Sequence, residues 1–202
     1  MIFGTFLGGH SFEVGKSITC DWKGDVFVAG YTSSSSFPTS PTSIQRSLNG
    51  DQDGFIAKIS GSGSQLYIST FIGGSSWDEI IDLTLDIWGN VYVTGNTLSD
   101  DFPITVQADQ SLYRGEQDVF YMHVNPSLQC TIYSSYFGGE GYDVAGCIGI
   151  DLYQNVYISG FHSVQHKPFI VQSKPSRTTD CHQQNPVFSL RQPFGGFILQ
   201  DP

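Results

Sequence analysis

The sequence predicts an all-β protein, a β-propeller array built of three four-stranded blade repeats. Two observations predict this fold class. Gly-Gly pairs recur at 8–9, 73–74 and 138–139, so the two intervals between successive pairs are equal. Apolar tracts recur with the same period at 26–28, 91–93 and 156–158, and each is followed by a glycine at 30, 95 or 160. A fixed period of about 65 residues indicates that each repeat is one supersecondary unit stacked on its neighbours.

Each repeat is predicted to contain four strands rich in β-branched and aromatic residues. The first strand is expected at 17–20, 82–85 and 147–150, and it ends in a turn that begins with Asp21, Asp86 or Asp151. The apolar tract is the second strand. The third is expected at 55–59 and 120–124, and the fourth at 67–71 and 132–136. Four antiparallel strands per repeat favour a propeller blade over a β-helix or an immunoglobulin-like sandwich.

The period also sets the domain organisation. We expect a single array over 1–202, with an N-terminal closing strand at 1–9, blade one at 10–74, blade two at 75–139 and blade three at 140–202. Blade three is predicted to contain a long loop at 161–193, because the interval from Gly160 to Gly195 exceeds the equivalent interval from Gly30 to Asp53. Its third strand is then expected at 196–200. A loop of this length is often functional or disordered, and we expect it either to pack against something outside the blade or to be the least ordered part of the chain.

The two ends of the array are predicted to complement each other. Residues 2–7 align with the fourth strand of a blade, whereas the last predicted blade has no fourth strand. Because an unpaired strand edge favours pairing with another chain, we expect self-association through terminal strand exchange. Two copies would then close a six-bladed ring by dimerisation. The alternative is that the remaining blades come from another polypeptide.

The repeats resemble a known family. The phrase Ser-Thr-Phe-Ile-Gly-Gly at 69–74, the sequence Leu-Asp-x-x-Gly-Asn-Val-Tyr-Val-Thr-Gly at 85–95 and Asp-Phe-Pro at 101–103 are similar to the SBBP β-propeller repeat, a relative of the NHL propellers. The resemblance is weaker in repeat three, where Gln154 replaces Gly89. It implies a scaffold at the cell surface or in a secreted protein, and it carries no catalytic residues to transfer.

Composition excludes some classes of partner. The net charge of −10 with only nine Lys and Arg argues against nucleic acid, which needs clustered cations. No apolar run approaches the roughly 20 residues that span a bilayer, so no membrane span is expected. No signal peptide is recognised, and the localisation is not determined by these residues. The four cysteines occupy different positions within the repeats, so we interpret them mostly as free thiols.

One set of candidate site residues recurs with the repeat. Aromatic–acidic pairs lie between the Gly-Gly turn and the predicted first strand, and the period places them on one face: Phe12-Glu13, Trp77-Asp78 and Tyr142-Asp143. They predict a ring that binds a sugar by stacking or a cation such as Ca²⁺ through carboxylates. The structural alternative is that each acid accepts hydrogen bonds from its own turn while the aromatic ring packs between blades.

Two further sets have weaker patterns. Asp53 and Asp118 precede the third strands, with Asp51 and Glu116 two residues earlier, which is similar to part of a Ca²⁺ loop but lacks its other ligands. Repeat three contains the N and S donors His162, His166, Cys181 and His182, which suit Zn²⁺, but no pair has Cys-x-x-Cys spacing. No cofactor is expected beyond a possible Ca²⁺.

No catalytic motif is present in the sequence. The leading functional hypothesis is a non-catalytic propeller scaffold for protein–protein interaction or assembly. The first alternative is a carbohydrate-binding module that uses the aromatic–acidic face. The second is a propeller hydrolase or lyase with acids in the same ring, since the two acids of such enzymes are not adjacent in sequence. Propellers host all three functions, so the fold alone cannot choose among them.

Overall fold

The computed structural model describes residues 4–173, and this part of the chain contains eleven β-strands and no helix. The strands form three antiparallel sheets, one for each repeat. Sheet one contains β1 Glu13–Cys20, β2 Val26–Thr32, β3 Asp53–Ile59 and β4 Leu66–Ile72. Sheet two contains β5 Asp78–Leu85, β6 Val91–Thr97, β7 Asp118–Val124 and β8 Thr131–Phe137. Sheet three contains β9 Asp143–Ile150, β10 Val156–His162 and β11 Lys167–Ser173.

Sequence-adjacent strands pair in every sheet, and the register repeats from one sheet to the next. Gly30 lies opposite Phe55, Gly95 opposite Phe120, and Gly160 opposite Phe169. The predicted second, third and fourth strands of the first two repeats are therefore confirmed. The first strands begin four residues earlier than predicted, because a bulge interrupts each of them, as between Ile80 and Asp82. A bulge breaks the apolar–polar alternation, so only the part after it was recognised in the sequence.

The hydrophobic core lies mainly between successive sheets. Ile80 and Leu83 of β5 are buried in one cluster with Phe27 and Ile56 of sheet one. At the next junction, Ile148 of β9 is buried with a group of tyrosines from sheet two, Tyr92, Tyr121 and Tyr133. The first strand of each sheet thus covers the second and third strands of the preceding sheet. This stacking explains why the strands of sheet two are apolar on both faces.

One side chain bonds to both neighbouring sheets at once. Asp82, in the middle of β5, accepts a hydrogen bond from Ser17 Oγ of β1 at 2.7 Å. Its other carboxylate oxygen accepts the backbone N–H of Ile148 in β9 at 3.0 Å. Asp82 therefore joins the first strands of all three sheets.

Sheet three departs from the predicted blade. The loop predicted at 161–193 is wrong in its first part, because β11 follows β10 after a short turn in which His166 has a φ of 52°. Phe169 of β11 occupies the position of Phe55 and Phe120, so Lys167-Pro-Phe-Ile-Val replaces the third strand predicted at 196–200. The remainder of that loop and residues 196–200 lie outside the described residues.

Other features of the described chain bear on the sequence analysis. Cys20 and Cys147 are free, as expected, but Cys130 is disulfide-bonded, so the expectation of mostly free thiols does not hold for it. The repeat argument misled here, because it considers only bonds that recur in every repeat. Residues 4–9 of the predicted closing strand pair with no strand in the described chain. Between residues 4 and 173 there is no helix that is long and apolar enough to cross a membrane.

Candidate functional site

The acidic residues of the aromatic–acidic pairs occupy equivalent places in the three sheets. The sequence predicts these acids before the first strands. In the structure they lie within the strands, as the first residues of β1, β5 and β9: Glu13, Asp78 and Asp143. Asp78 and Asp143 are buried, and Glu13 is half-buried. The three side chains share one end of the stacked first strands.

Each of these carboxylates accepts a hydrogen bond from the second glycine of its own Gly-Gly turn. The backbone N–H of Gly9 donates to Glu13 at 2.9 Å, and Gly74 and Gly139 donate to Asp78 and Asp143 at 2.8 Å. A second donor comes from the segment at the end of the neighbouring strand: Thr32 Oγ1 for Glu13, Ser99 Oγ for Asp78 and His162 Nδ1 for Asp143. These hydrogen bonds match the structural alternative given above, in which each acid accepts hydrogen bonds from its own turn and stabilises it.

Asp53 and Asp118 begin β3 and β7 and hold the preceding loops in the same way. Asp53 accepts the backbone N–H of Asn49 at 2.9 Å, and Asp118 accepts that of Arg114 at 2.9 Å. Gln45 completes the arrangement by donating to Asp53 at 2.6 Å while its carbonyl oxygen accepts the N–H of Gly73. Gln110 does the same for Asp118 and Gly138. Sequence reasoning missed both glutamines, although they occupy equivalent positions in their repeats.

Carboxylates from two sheets meet beside the first glycine of each later turn. An alanine Cβ at Gly73 would lie 2.7 Å from Asp53 Oδ1 and 2.8 Å from Asp78 Oδ2, so only a glycine leaves room for both acids. Gly138 is enclosed in the same way by Asp118 and Asp143. The Gly-Gly signature of the sequence therefore marks the two places where paired acids approach the backbone.

Burial makes these acids harder to ionise. Burial, with a smaller contribution from the nearby Asp53 carboxylate, raises the pKa of Asp78 to about 6. Burial likewise raises the pKa of Asp118 to about 6, with a smaller contribution from the Asp143 carboxylate. The pKa of Asp53 is also raised by burial, against the hydrogen bonds from Asn49 and Gly50.

We expect the Asp118→Asn variant to show a weaker pH dependence of stability than the wild type. The folded-state pKa of Asp118 is raised, so its contribution to stability is complete below about pH 3.8 and is lost as the pH rises through about 6. At 1.36 kcal/mol per pKa unit, and after allowance for partial solvation, the loss is about 2 kcal/mol. Urea unfolding between pH 4 and pH 7 measures it. The exposed Asp51→Asn control should keep the wild-type slope, and an unchanged slope in Asp118→Asn would contradict the assignment.

The aromatic residues of the pairs are placed differently from one another. Phe12 and Trp77 both approach Tyr31 of β2, with ring centroids 6.2 and 6.3 Å from it, so the three rings form a continuous row. Tyr142 is exposed but lies outside this row, because the position equivalent to Tyr31 in sheet two is Asn96. Tyr31 was missed in the sequence because an aromatic residue is not present there in every repeat: repeat three has Phe161, but repeat two has Asn96.

The charged groups next to the row of rings are paired with other groups of the protein. Lys16 Nζ lies 5.4 Å from the centre of the Tyr31 ring and 3.9 Å from Glu79, so this cation has an acidic partner. Glu13 and Asp78 are directed to the turn amides. The row can therefore stack on a flat, uncharged ligand, whereas the carboxylates beside it are engaged in the fold.

The predicted metal ligands are only partly described. His162, at the end of β10, hydrogen-bonds to Asp143, and His166 lies in the turn before β11. Cys181 and His182 lie outside the described residues. In residues 4–173 no three His, Cys, Asp or Glu side chains form a cluster that could hold a metal ion.

Comparison with known proteins gives one family match. A model of the SBBP β-propeller repeat matches residues 67–103, which extend from β4 through β5 and β6 to Pro103. The matched segment includes the Gly73-Gly74 turn, Trp77 and Asp78. The all-β structure with antiparallel sheets is consistent with such a repeat. No curated protein matches the chain significantly.

Proposed function

Because this chain carries an SBBP-type β-propeller repeat, we propose that it is a non-catalytic scaffold for protein–protein interaction or assembly. One observation carries the proposal: the acids that recur in the repeats are bonded to the turns of the fold. Asp78, for example, is fully buried and accepts from Gly74 and Ser99. A repeat maintained by such bonds provides a rigid frame whose exposed positions are free to differ between blades.

The same observation weighs against a hydrolase or lyase. Glycoside hydrolysis needs two carboxyl groups that face the scissile bond, one of them as a general acid. Asp78 and Asp118 have the raised pKa of about 6 that a general acid needs, but neither is exposed to solvent. We therefore interpret these raised pKa values as a consequence of burial between sheets.

The second candidate is carbohydrate binding, which the row of rings formed by Phe12, Tyr31 and Trp77 favours. Aromatic rings at a surface stack on the apolar faces of sugars. In this row Phe12 is exposed and Tyr31 and Trp77 are half-buried, and the three rings are continuous. The missing ring contact at Tyr142 limits the row to sheets one and two. The candidate sugar-binding surface therefore contains aromatic residues of two repeats and not of all three.

A glycan array with and without Ca²⁺, read together with a hydrolysis assay on the same glycans, separates these functions. For a scaffold we expect neither binding nor turnover. Binding that is lost in Trp77→Ala and kept in Trp88→Ala, which removes an exposed tryptophan in the turn after β5, would replace the scaffold by a carbohydrate-binding module. Turnover that Asp78→Asn abolishes in a folded protein would replace it by an enzyme.

Self-association is the form of assembly that we propose. Phe6 is fully exposed, whereas the equivalent residues of the fourth strands, Phe71 and Tyr136, are buried. The segment before β1 thus presents a fourth-strand side chain that no sheet of the described residues covers. In the described chain β11 is an edge strand, and the strand-exchange hypothesis assigns the segment of one copy to the edge of another.

A further inference from the structure

The same repeat position is buried in two sheets and exposed in the third. Leu83 of β5 and Ile148 of β9 are 5% and 7% exposed, because sheet one covers Leu83 and sheet two covers Ile148. The equivalent residue of β1, Ile18, is 70% exposed. Gly15 and Cys20, which share its side of the strand, are exposed as well. We call this set of β1 residues the front surface.

The opposite side of sheet three has the complementary feature. Ile170 of β11 is 80% exposed, whereas its equivalents Ile56 and Tyr121 are 0% and 3% exposed. Tyr157 of β10 is 40% exposed, although the residue at its position in sheet two is completely buried. We call Tyr157, Ser159 and Ile170 the back surface.

The two internal junctions define what covers each surface. At both of them the front of one sheet packs on the back of the sheet before it, through aliphatic side chains against aromatic or aliphatic ones. The front surface of Ile18 is aliphatic, and the back surface presents Tyr157 and Ile170. The chemistry is that of an internal junction whose two halves are both left uncovered by residues 4–173.

From this match we infer that a second copy of this chain docks on the first, with the back surface of one copy covering the front surface of the other. This inference rests on the proposed scaffold function and names its partner. In the docked pair Ile18 of one copy packs against Tyr157 and Ile170 of the other. Two such contacts related by a two-fold axis give six stacked sheets, a number within the usual range of four to eight for a propeller.

Light scattering on the full chain at micromolar concentration tests the inference. We expect twice the chain mass of 22.2 kDa. Ile18→Asp and Ile170→Asp should each raise the dissociation constant of the dimer at least about 30-fold, because a charge would be buried in the centre of the contact. Both residues are exposed, so these variants should fold. Ile87→Asp, an equally exposed change in the turn after β5, should leave the mass unchanged.

A cross-linking experiment tests the pairing of the two surfaces. Ile18→Cys chains are mixed with Ile170→Cys chains, both with Cys20→Ser and Cys147→Ser, and then oxidised. We expect disulfides between the two kinds of chain. Cross-links within one kind of chain, a monomeric wild type, or a dimer that survives Ile18→Asp would each overturn the inference. A monomeric wild type would also overturn the self-association proposed above, but none of these results would overturn the scaffold function, which fails only in the glycan and turnover assays.

Discussion

Replacing Gly95 with alanine should strongly destabilise the array. Gly95 lies in the middle of β6, opposite Phe120. An alanine Cβ there would lie 1.9 Å from the carbonyl oxygen of Glu79 and 2.8 Å from the Phe120 ring. Neither group has room to move, because the oxygen belongs to the β5 backbone at its bulge and the ring is fully buried.

The expected cost is more than about 3 kcal/mol, above the usual range of about 1–3 kcal/mol for overpacked cores. That is a large part of the roughly 5–15 kcal/mol of a typical domain. Urea unfolding followed by circular dichroism measures it. Gly149→Ala in β9 is the matched control, because a Cβ there meets nothing within 4 Å, and it should change stability by less than about 0.5 kcal/mol. A Gly95→Ala protein as stable as this control would refute the backbone contact.

Replacing His123 with phenylalanine should stabilise the protein, and most strongly in acid. His123 lies in β7, stacked on the Tyr92 ring at 4.1 Å, and neither of its ring nitrogens has a hydrogen-bond partner in the described structure. Phenylalanine keeps the stacked ring and removes two buried, unpaired polar atoms. At neutral pH the gain should be about 1–2 kcal/mol.

The acid effect follows from the pKa. Burial lowers the pKa of His123 to about 4, partly opposed by the Asp86 carboxylate. The contribution of the neutral histidine to stability is therefore complete above about pH 6.5 and is lost as the pH falls through about 4, a change of about 3 kcal/mol. Unfolding curves at pH 4.5 and 7.5 should show the advantage of His123→Phe growing in acid. The exposed His10→Gln control should leave the wild-type dependence intact, and parallel curves for His123→Phe and the wild type would show that His123 does not titrate on unfolding.

The repeat made most of the fold predictable. Because every sheet uses the same register, one counted period placed β2, β3 and β4 and their counterparts in sheet two. The period could not show the bulge before Asp82, since a bulge changes the pairing without changing the spacing between repeats. It also misplaced the third strand of sheet three, where a short turn replaces the long loop and brings Phe169 opposite Gly160.

The candidate site was less predictable for a related reason. The period indicated that Glu13, Asp78 and Asp143 are equivalent, but equivalence alone does not separate a ligand site from a repeated turn bond. Only the distances to the Gly9, Gly74 and Gly139 amides give these acids a structural role. Tyr31 completes the row of rings across two sheets, a contact between residues far apart in sequence that no local pattern reports.

Asp82 has a consequence for how the array loses its structure. In a stack of repeats, stability is commonly a sum of the intrinsic terms of each unit and the terms between nearest neighbours, so that end units can fray alone. A carboxylate that binds Ser17 on one side and the Ile148 amide on the other makes the two junctions share one group. When either outer sheet unfolds locally, Asp82 loses one of these two hydrogen bonds. Its remaining hydrogen bond to the opposite sheet is then less stable. Asp82 thus couples the two junctions directly, in addition to the hydrophobic contacts that each junction makes separately.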